Sequence, residues 1–495
     1  MRAPERKRER RAATTTLSAR LGPHVTLETQ PGGEIAASFN GFSVGLGKFS
    51  ASAAVSAQKL REGLLLASFS SDEVVQKEVG QLVRRLARRG LLEYRLGRSR
   101  DAEDLIVIEP QVPAYWPRKP ELRDTDTLVL SRFAYLRRRG NEMVLESPRA
   151  GALFKICDPK VAATLVTLSK PQSITRLRRQ DGFPGPELLA LLTDCQILFK
   201  INVADDNDGL RPAEGGDDLV LWDFHDLLFH ARSTEGRHAN PTGGAYPYAG
   251  LISPLPAVRP GWPGKKIDLR TFSTAPSEPT SPMAKLLRER HSTRDFDDQQ
   301  PITIAELSRF LDGAARVQSN WTTTLDPGGG GPTLAYTSRP YPSGGSSYEL
   351  ELYLAVDKCE GLERRFYHYD PAEHALMPIA TRPQEFEALL KGAEQAMGAA
   401  AVPQILITVA ARFGRISWKY SSIAYALILK DVGVLLQTLY LMATDLGLGG
   451  CAIGTTNIDL FEKMTGIEFH IEGAVGQFAL GRGAKSAASD SRSDH

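Results

Sequence analysis

Within five residues, Arg290-His291-Ser292-Thr293-Arg294, the chain sets two guanidiniums, an imidazole and two hydroxyls side by side. Guanidinium forks match phosphate oxygens two at a time, and a serine hydroxyl adds a donor. Each charge-assisted bond of this kind contributes about 1.5–3 kcal/mol. The cluster therefore asks for a dianion, with a phosphate the natural fit. A solvated basic turn is the competing reading.

The elements around the cluster must hold it. Ser281 as N-cap and Pro282 at the first helical position open a short amphipathic helix over Pro282 to Glu289. A helix of that length does not stand alone in water, so something larger carries it. Thr303-Ile304-Ala305-Glu306 makes a capping box, and Ile304, Leu307, Leu311 and Ala314 give a helical stripe behind it. Residues 322–347 read as a long loop containing Gly328 to Gly331. Tyr348 to Val356 alternates as a strand, with Tyr348, Leu350, Leu352, Leu354 and Val356 on one face and Glu349, Glu351 and Tyr353 on the other. Tyr367 to Pro371 looks like a hairpin, and Gln404 to Ala410 and Ala474 to Leu480 read as covered strands. Leu427 to Leu446 is an apolar helix. Its Lys430, Asp431, Gln437 and Asp445 mark it as core rather than membrane span.

These pieces, in this order, resemble the FMN-dependent nitroreductase superfamily over about residues 220 to 483. The motifs are Arg290-His-Ser-Thr-Arg294-Asp-Phe, Tyr341-Pro-Ser-Gly-Gly345, Tyr367-His-Tyr-Asp-Pro371 and Leu446-Gly-Leu-Gly-Gly-Cys451. Within it the chain resembles the thiazole/oxazole-forming (azoline) dehydrogenases, the cyanobactin-oxidase-like branch. The resemblance implies FMN, with Arg290, His291, Ser292 and Arg294 at its phosphate. His291 stands where many relatives carry a second arginine. It implies that Pro342, Ser343 and Gly344 approach the flavin, since glycine lets backbone come close to a flat ring; a plain turn is the alternative. Gly447 and Gly449 sit like the superfamily's flavin-edge loop. Gln437 is a candidate flavin or cross-subunit contact, and Arg482 a candidate second phosphate ligand or a surface charge. Trp418-Lys419-Tyr420 looks like the Lys-Tyr pair of azoline oxidases. Azoline oxidation removes a proton from one ring carbon and a hydride equivalent, taken by flavin N5, from its neighbour. Lys419 and Tyr420 are then the catalytic candidates for the proton, with Tyr425 and His291 in reserve. A lysine titrates near ~10.4, so the role requires desolvation.

The expected fold is α+β: a nitroreductase-like FMN domain at 281–483, preceded by two winged-helix-like modules. A disordered basic arm covers 1–19, the modules 20–118 and 119–204, a linker with a helix at 220–232 covers 205–280, and a disordered tail 484–495. In the first module Ser70-Ser71-Asp72-Glu73 reads as a capping box. The helix behind it places Val74, Val75, Val79, Leu82, Val83 and Leu86 on one side, with Gly90 as stop. Its Arg84, Arg85, Arg88 and Arg89 suit peptide capture, a solvated face or, less readily, DNA. His225, Asp226 and His230 do not share a helix face, so packing is preferred to a metal site.

A net charge of +2 gives no global case for nucleic acid or membrane. The cysteines at 157, 195, 359 and 451 form no C-x-x-C pair. No apolar run follows the basic N-terminus, and a cytoplasmic protein is expected. The expected partners are an azoline-containing precursor peptide, a second copy sharing FMN at a homodimer interface, and a cyclodehydratase. Oxygen is the expected terminal acceptor. An NAD(P)H-dependent nitro or quinone reductase and a non-catalytic peptide- or DNA-binding scaffold are the alternatives.

Overall fold

The computed structural model describes residues 15–484 apart from 40, 71–72, 99–102, 181–182, 202–215, 240–241, 262, 273–280 and 327–329. Most of the basic arm, the tail beyond 484, the Asp205–Gly209 turn, Ser71 and Asp72, and Gly328 and Gly329 lie outside the described residues. The chain forms two compact units, Met1–Asn240 and Pro241–His495, divided within the expected 205–280 linker.

The first unit runs β1 (Thr16–Leu21), β2 (Val25–Thr29), β3 (Glu34–Phe39), β4 (Phe42–Lys48), α1 (Ala51–Gln58), β5 (Leu64–Leu65), α2 (Val74–Ala87), β6 (Leu92–Gly97), β7 (Asp104–Pro110). It continues with β8 (Thr127–Leu130), β9 (Tyr135–Arg139), β10 (Glu142–Glu146), β11 (Ala152–Ile156), α3 (Pro159–Thr167), β12 (Gln172–Ser173), α4 (Ile174–Leu177), α5 (Pro186–Asp194), β13 (Leu198–Ile201), α6 (Asp217–Val220) and α7 (Phe224–Ser233). Its main sheet has the order β5-β1-β6-β7-β11-β10-β9, beside the small sheets β2-β3-β4 and β12-β8-β13. The β7–β11 pairing carries the main sheet across the 118/119 boundary. One hydrophobic cluster spans both sides, from Leu21 and Leu82 to Leu165 and Leu191.

Helix α2 buries Val79, Leu82, Val83 and Leu86, as its periodicity predicts. It starts later than expected: Glu73 is the N-cap, without a side-chain cap bond, and not the third residue of a capping box. The segment ahead of it, Leu66–Ser70, is a 3-10 turn, which leaves Val74 73% exposed. Arg84 lies over the Trp116 ring, while Arg85 lies over Phe49 and donates to the Leu46 carbonyl. Both serve packing inside the unit. His230 is buried on Trp222, whereas His225 is exposed beside Asp223.

The second unit runs α8 (Pro282–Glu289), α9 (Ile304–Ala315), β14 (Ser319–Thr324), β15 (Thr333–Ser338), β16 (Leu350–Val356), β17 (Arg365–Asp370), β18 (Ala375–Ile379), α10 (Pro383–Met397), β19 (Ile405–Arg412), α11 (Phe413–Ser417), α12 (Ala424–Asp445), β20 (Gly449–Ile453), α13 (Ile458–Thr465) and β21 (Glu472–Gly481). The sheet β18-β17-β16-β19-β21-β20 is antiparallel throughout. Tyr353, Phe366, Leu406 and Ala479 face Phe386, Leu390 and Phe461 of α10 and α13. Phe478, on the other face, meets Phe310 of α9 and Tyr440 of α12.

Two expectations change here. Residues 322–347 are not one loop, because β14 and β15 pair antiparallel as a hairpin. Strand β16 begins at Leu350 rather than Tyr348 and is buried on both faces, since helices cover both sides of the sheet. Helix α12 is long and apolar enough to cross a bilayer by length and composition. In this fold it packs against α9, β20 and β21.

Candidate functional site

Helix α8 forms as its residues dictate, with the Ser281 hydroxyl accepting the Ala284 N–H and Pro282 in the first turn. It buries no residue fully and rests on α12. What fixes the arginine cluster behind it is the edge of the sheet. Thr293 N–H donates to Gly450 O at 2.8 Å, and Asp297 N–H to Arg482 O at 2.8 Å. The Gln404 side chain closes the arrangement. Its Oε1 accepts the N–H groups of Ile302 and Arg482, both at 3.0 Å, and its Nε2 donates to Asp297 O at 2.7 Å. A Cβ at Gly449 would run into the Thr293 side chain, so glycine permits this close approach.

Tyr440 of α12 is the hub of the cluster, and sequence reading missed it. Its hydroxyl accepts the Ala452 N–H at 2.8 Å and lies 2.8 Å from Ser292 Oγ. The Arg290 guanidinium sits 5.0 Å from the centre of its ring. Neither Arg290 nor Arg294 pairs with a carboxylate among the described residues, so their donors are available to an anion. His291 Nδ1 lies 2.9 Å from Glu289 O. Arg482 is engaged differently. It holds both Glu306 oxygens, at 2.8 and 2.9 Å, and the Gln300 carbonyl. As a phosphate ligand it would have to give up that pair. Glu306 is itself the glutamate of the α9 capping box, at the third helical position, formed as expected.

The second group lies around the turn 343–348. Asp431 of α12, 6% exposed, accepts the Gly344 N–H at 2.8 Å and lies 2.9 Å from Ser343 Oγ. That hydroxyl is also 3.2 Å from Glu349 Oε2 and accepts the Tyr348 N–H at 2.9 Å. Glu349 is fully buried, and burial together with the Asp431 carboxylate beside it pushes its acid up to about 7. Gly345, Ser346 and Tyr348 all have positive φ, at 58°, 56° and 45°. A tyrosine there is strained by about 1–3 kcal/mol and persists only where its surroundings over-determine it. Here Ser343 holds its N–H, and Arg415 holds the neighbouring Ser347 carbonyl at 2.9 Å.

Lys419 and Tyr420 meet this turn. They follow α11 and precede α12, which starts at Ala424. Lys419 Nζ donates to Gly345 O at 3.0 Å, between the rings of Tyr336 and Tyr420, each 5.4 Å away. A Cβ at Gly345 would collide with Lys419 Nζ and Tyr420 Oη, so that turn needs its glycine. Pro342 is exposed and Gly447 follows α12 with φ 67°. Gln437 is exposed, not buried. Tyr425 is buried against Phe413, away from solvent.

Both groups hang from one helix. Asp431 and Tyr440 are nine residues apart, about 13 Å along α12. The arrangement fits an elongated molecule with a phosphate at one end and a flat ring at the other, which is the shape of FMN.

Residues 287–482 match the nitroreductase family model, and residues 128–239 match that of the cyanobactin oxidase ThcOx. The chain is 30% identical over 169 residues to MJ1384, a nitroreductase-like protein of Methanocaldococcus jannaschii. That alignment covers 34% of this chain and 76% of the relative. The chain belongs to the nitroreductase family. The chain is also similar to the microcin B17-processing protein McbC of Escherichia coli, 27% identical over 160 residues. There the match covers 31% of this chain and 53% of McbC, about half its length. Among solved structures it resembles a chain of the E. coli microcin synthetase McbBCD complex with truncated pro-MccB17 bound. Identity is 19%, coverage 55% of this chain and 97% of that chain, and the TM-score 0.38.

Proposed function

We propose that this protein is an FMN-dependent azoline dehydrogenase, oxidising thiazoline or oxazoline rings of a ribosomally made peptide to azoles. The observation that carries the reading is the bond from Lys419 Nζ to Gly345 O, 3.0 Å. It supports the reading by setting the Lys419–Tyr420 pair beside the turn where the flavin ring would lie. When bound, FMN supplies the two-electron acceptor, and dioxygen takes those electrons on.

The chain's residues do the rest. Arg290, His291, Ser292 and Arg294 grip the phosphate. Pro342, Ser343 and Gly344 offer close backbone to the ring, whereas Gly449 packs on Thr293 at the phosphate end, so the glycines at 447 and 449 serve that end rather than the turn at 343–348. Asp431 and Glu349 set the shape of the turn. Lys419 is exposed in the structure and takes the ring proton only once bound substrate desolvates it, while Tyr420, half-buried beside it, orients the substrate or shares that proton. A cyclodehydration reaction must supply the azoline, which makes a cyclodehydratase the working partner. Ala426, Lys430, Gly433 and Gln437 are exposed at helical spacing on α12. This exposed stripe, with small residues at 426 and 433, suits the same helix of a second copy, and Gln437 then has a partner across the interface.

Similarity to MJ1384 favours one other reading, a nicotinamide-driven reductase of nitro compounds or quinones. The purified yellow protein, mixed with a thiazoline or oxazoline peptide in air, should remove two hydrogens per ring by mass. Lys419→Ala should keep its flavin and slow turnover by about 10²- to 10⁴-fold, as loss of a general base does. No mass change across several azoline peptides would refute the proposal, and unchanged turnover in Lys419→Ala would clear that residue.

A further inference from the structure

The hairpin β14–β15 carries an aromatic face that the chemistry above leaves unused. Trp321 and Tyr336 are cross-strand partners, stacked with ring centroids 5.7 Å apart and planes 16° from parallel. Trp321 is 43% exposed, in a strand with no buried residue. The pair therefore belongs to no core. Its other neighbour is the candidate base, with Lys419 Nζ 5.4 Å from the Tyr336 ring. Arg415, four residues before Lys419, ties the hairpin to the turn by donating to Ala335 O at 2.5 Å and to Ser347 O at 2.9 Å. Trp321, Tyr336, Lys419 and Tyr420 thus form one continuous surface. Only β15 pairs with β14, so the outer edge of β14 is open to an extended peptide among the described residues.

We infer that Trp321 and Tyr336 form a stacking subsite for a planar five-membered heterocycle of the peptide, adjacent to the ring being oxidised at Lys419. The inference rests on the azoline dehydrogenase reading and names which part of the substrate this chain recognises. A finished azole is flat and conjugated and stacks on an aromatic face; an azoline is neither. The subsite therefore prefers peptides that already carry an azole beside the next azoline, and it orders oxidation along a multi-ring peptide.

A synthetic bis-thiazole peptide, with nothing left to oxidise, is the binding probe, titrated calorimetrically onto the flavin-loaded full chain. Trp321→Ala should weaken its binding about five- to tenfold, the worth of one aromatic pair, and Trp321→Phe should restore most of it. In turnover, Trp321→Ala should raise KM by the same factor for a peptide with an azole beside its azoline. The shift in kcat should stay within about twofold, and KM for a lone azoline should move far less. Failure of the wild type to bind the bis-thiazole peptide would overturn the subsite, as would equal binding by all three proteins or equal KM changes for both peptides. A change from dimer to monomer mass in Trp321→Ala, with peptide binding intact, would assign the face to a second copy instead. If the wild type oxidised no azoline, the functional reading would fall, while the calorimetric titration would still decide the subsite.

Discussion

Arg290 and Arg294 face solvent and ring rather than carboxylate, and that is the property a phosphate site needs. Arg290→Ala should weaken FMN binding about 10- to 100-fold, the worth of one charge-assisted contact. A fluorescence titration of FMN into the flavin-free protein measures it, and unchanged affinity would move the phosphate elsewhere. These arginines were legible because five consecutive residues declare their charge without tertiary context. Tyr440, which organises them, was not. A tyrosine in an apolar helix reads as core until the chain at 292 and 452 is seen at its hydroxyl. Arg482 shows the converse. Its charge is visible in sequence, but its Glu306 partner is 176 residues away.

The turn 343–348 is held in shape by a buried acid pair, Glu349 directly after it and Asp431 on α12. Folded, Glu349 holds its proton up to about pH 7, against an ordinary 4.5. Between those values the folded chain retains a proton that the unfolded chain has released. This group therefore lowers stability as pH rises through that window, and its effect levels off above it. Urea midpoints of wild type and Glu349→Gln, measured from pH 4.5 to 8, should show this decline in the wild type only. Parallel curves would remove Glu349 from that role. The sequence alternation separates Glu349 from the apolar face but does not reveal its burial, because cover on both sides of the sheet comes from α10, α12 and α13, remote in the chain. The β14–β15 hairpin escaped for a related reason. Its threonine-rich strands lack apolar alternation, since they bury nothing. By contrast α8, α9 and β19 announced themselves through caps and apolar runs that depend on neighbours alone.

At the scale of the molecule, the ThcOx match falls in the first compact unit and the nitroreductase match in the second. The seven-stranded sheet of the first unit joins segments that composition separates at 118/119, because the β7–β11 pairing is long-range and leaves no local signature. A chain of this organisation, acting on a peptide, should draw electrons from azoline rings and not from a nicotinamide. The direct measurement is anaerobic mixing of the flavin-loaded protein with a stoichiometric azoline peptide, following the flavin colour. The account predicts that the peptide alone bleaches the yellow flavin, that one azole forms per flavin reduced, and that admitting air restores the colour. Bleaching by NAD(P)H, with the azoline peptide leaving the colour untouched, would contradict it.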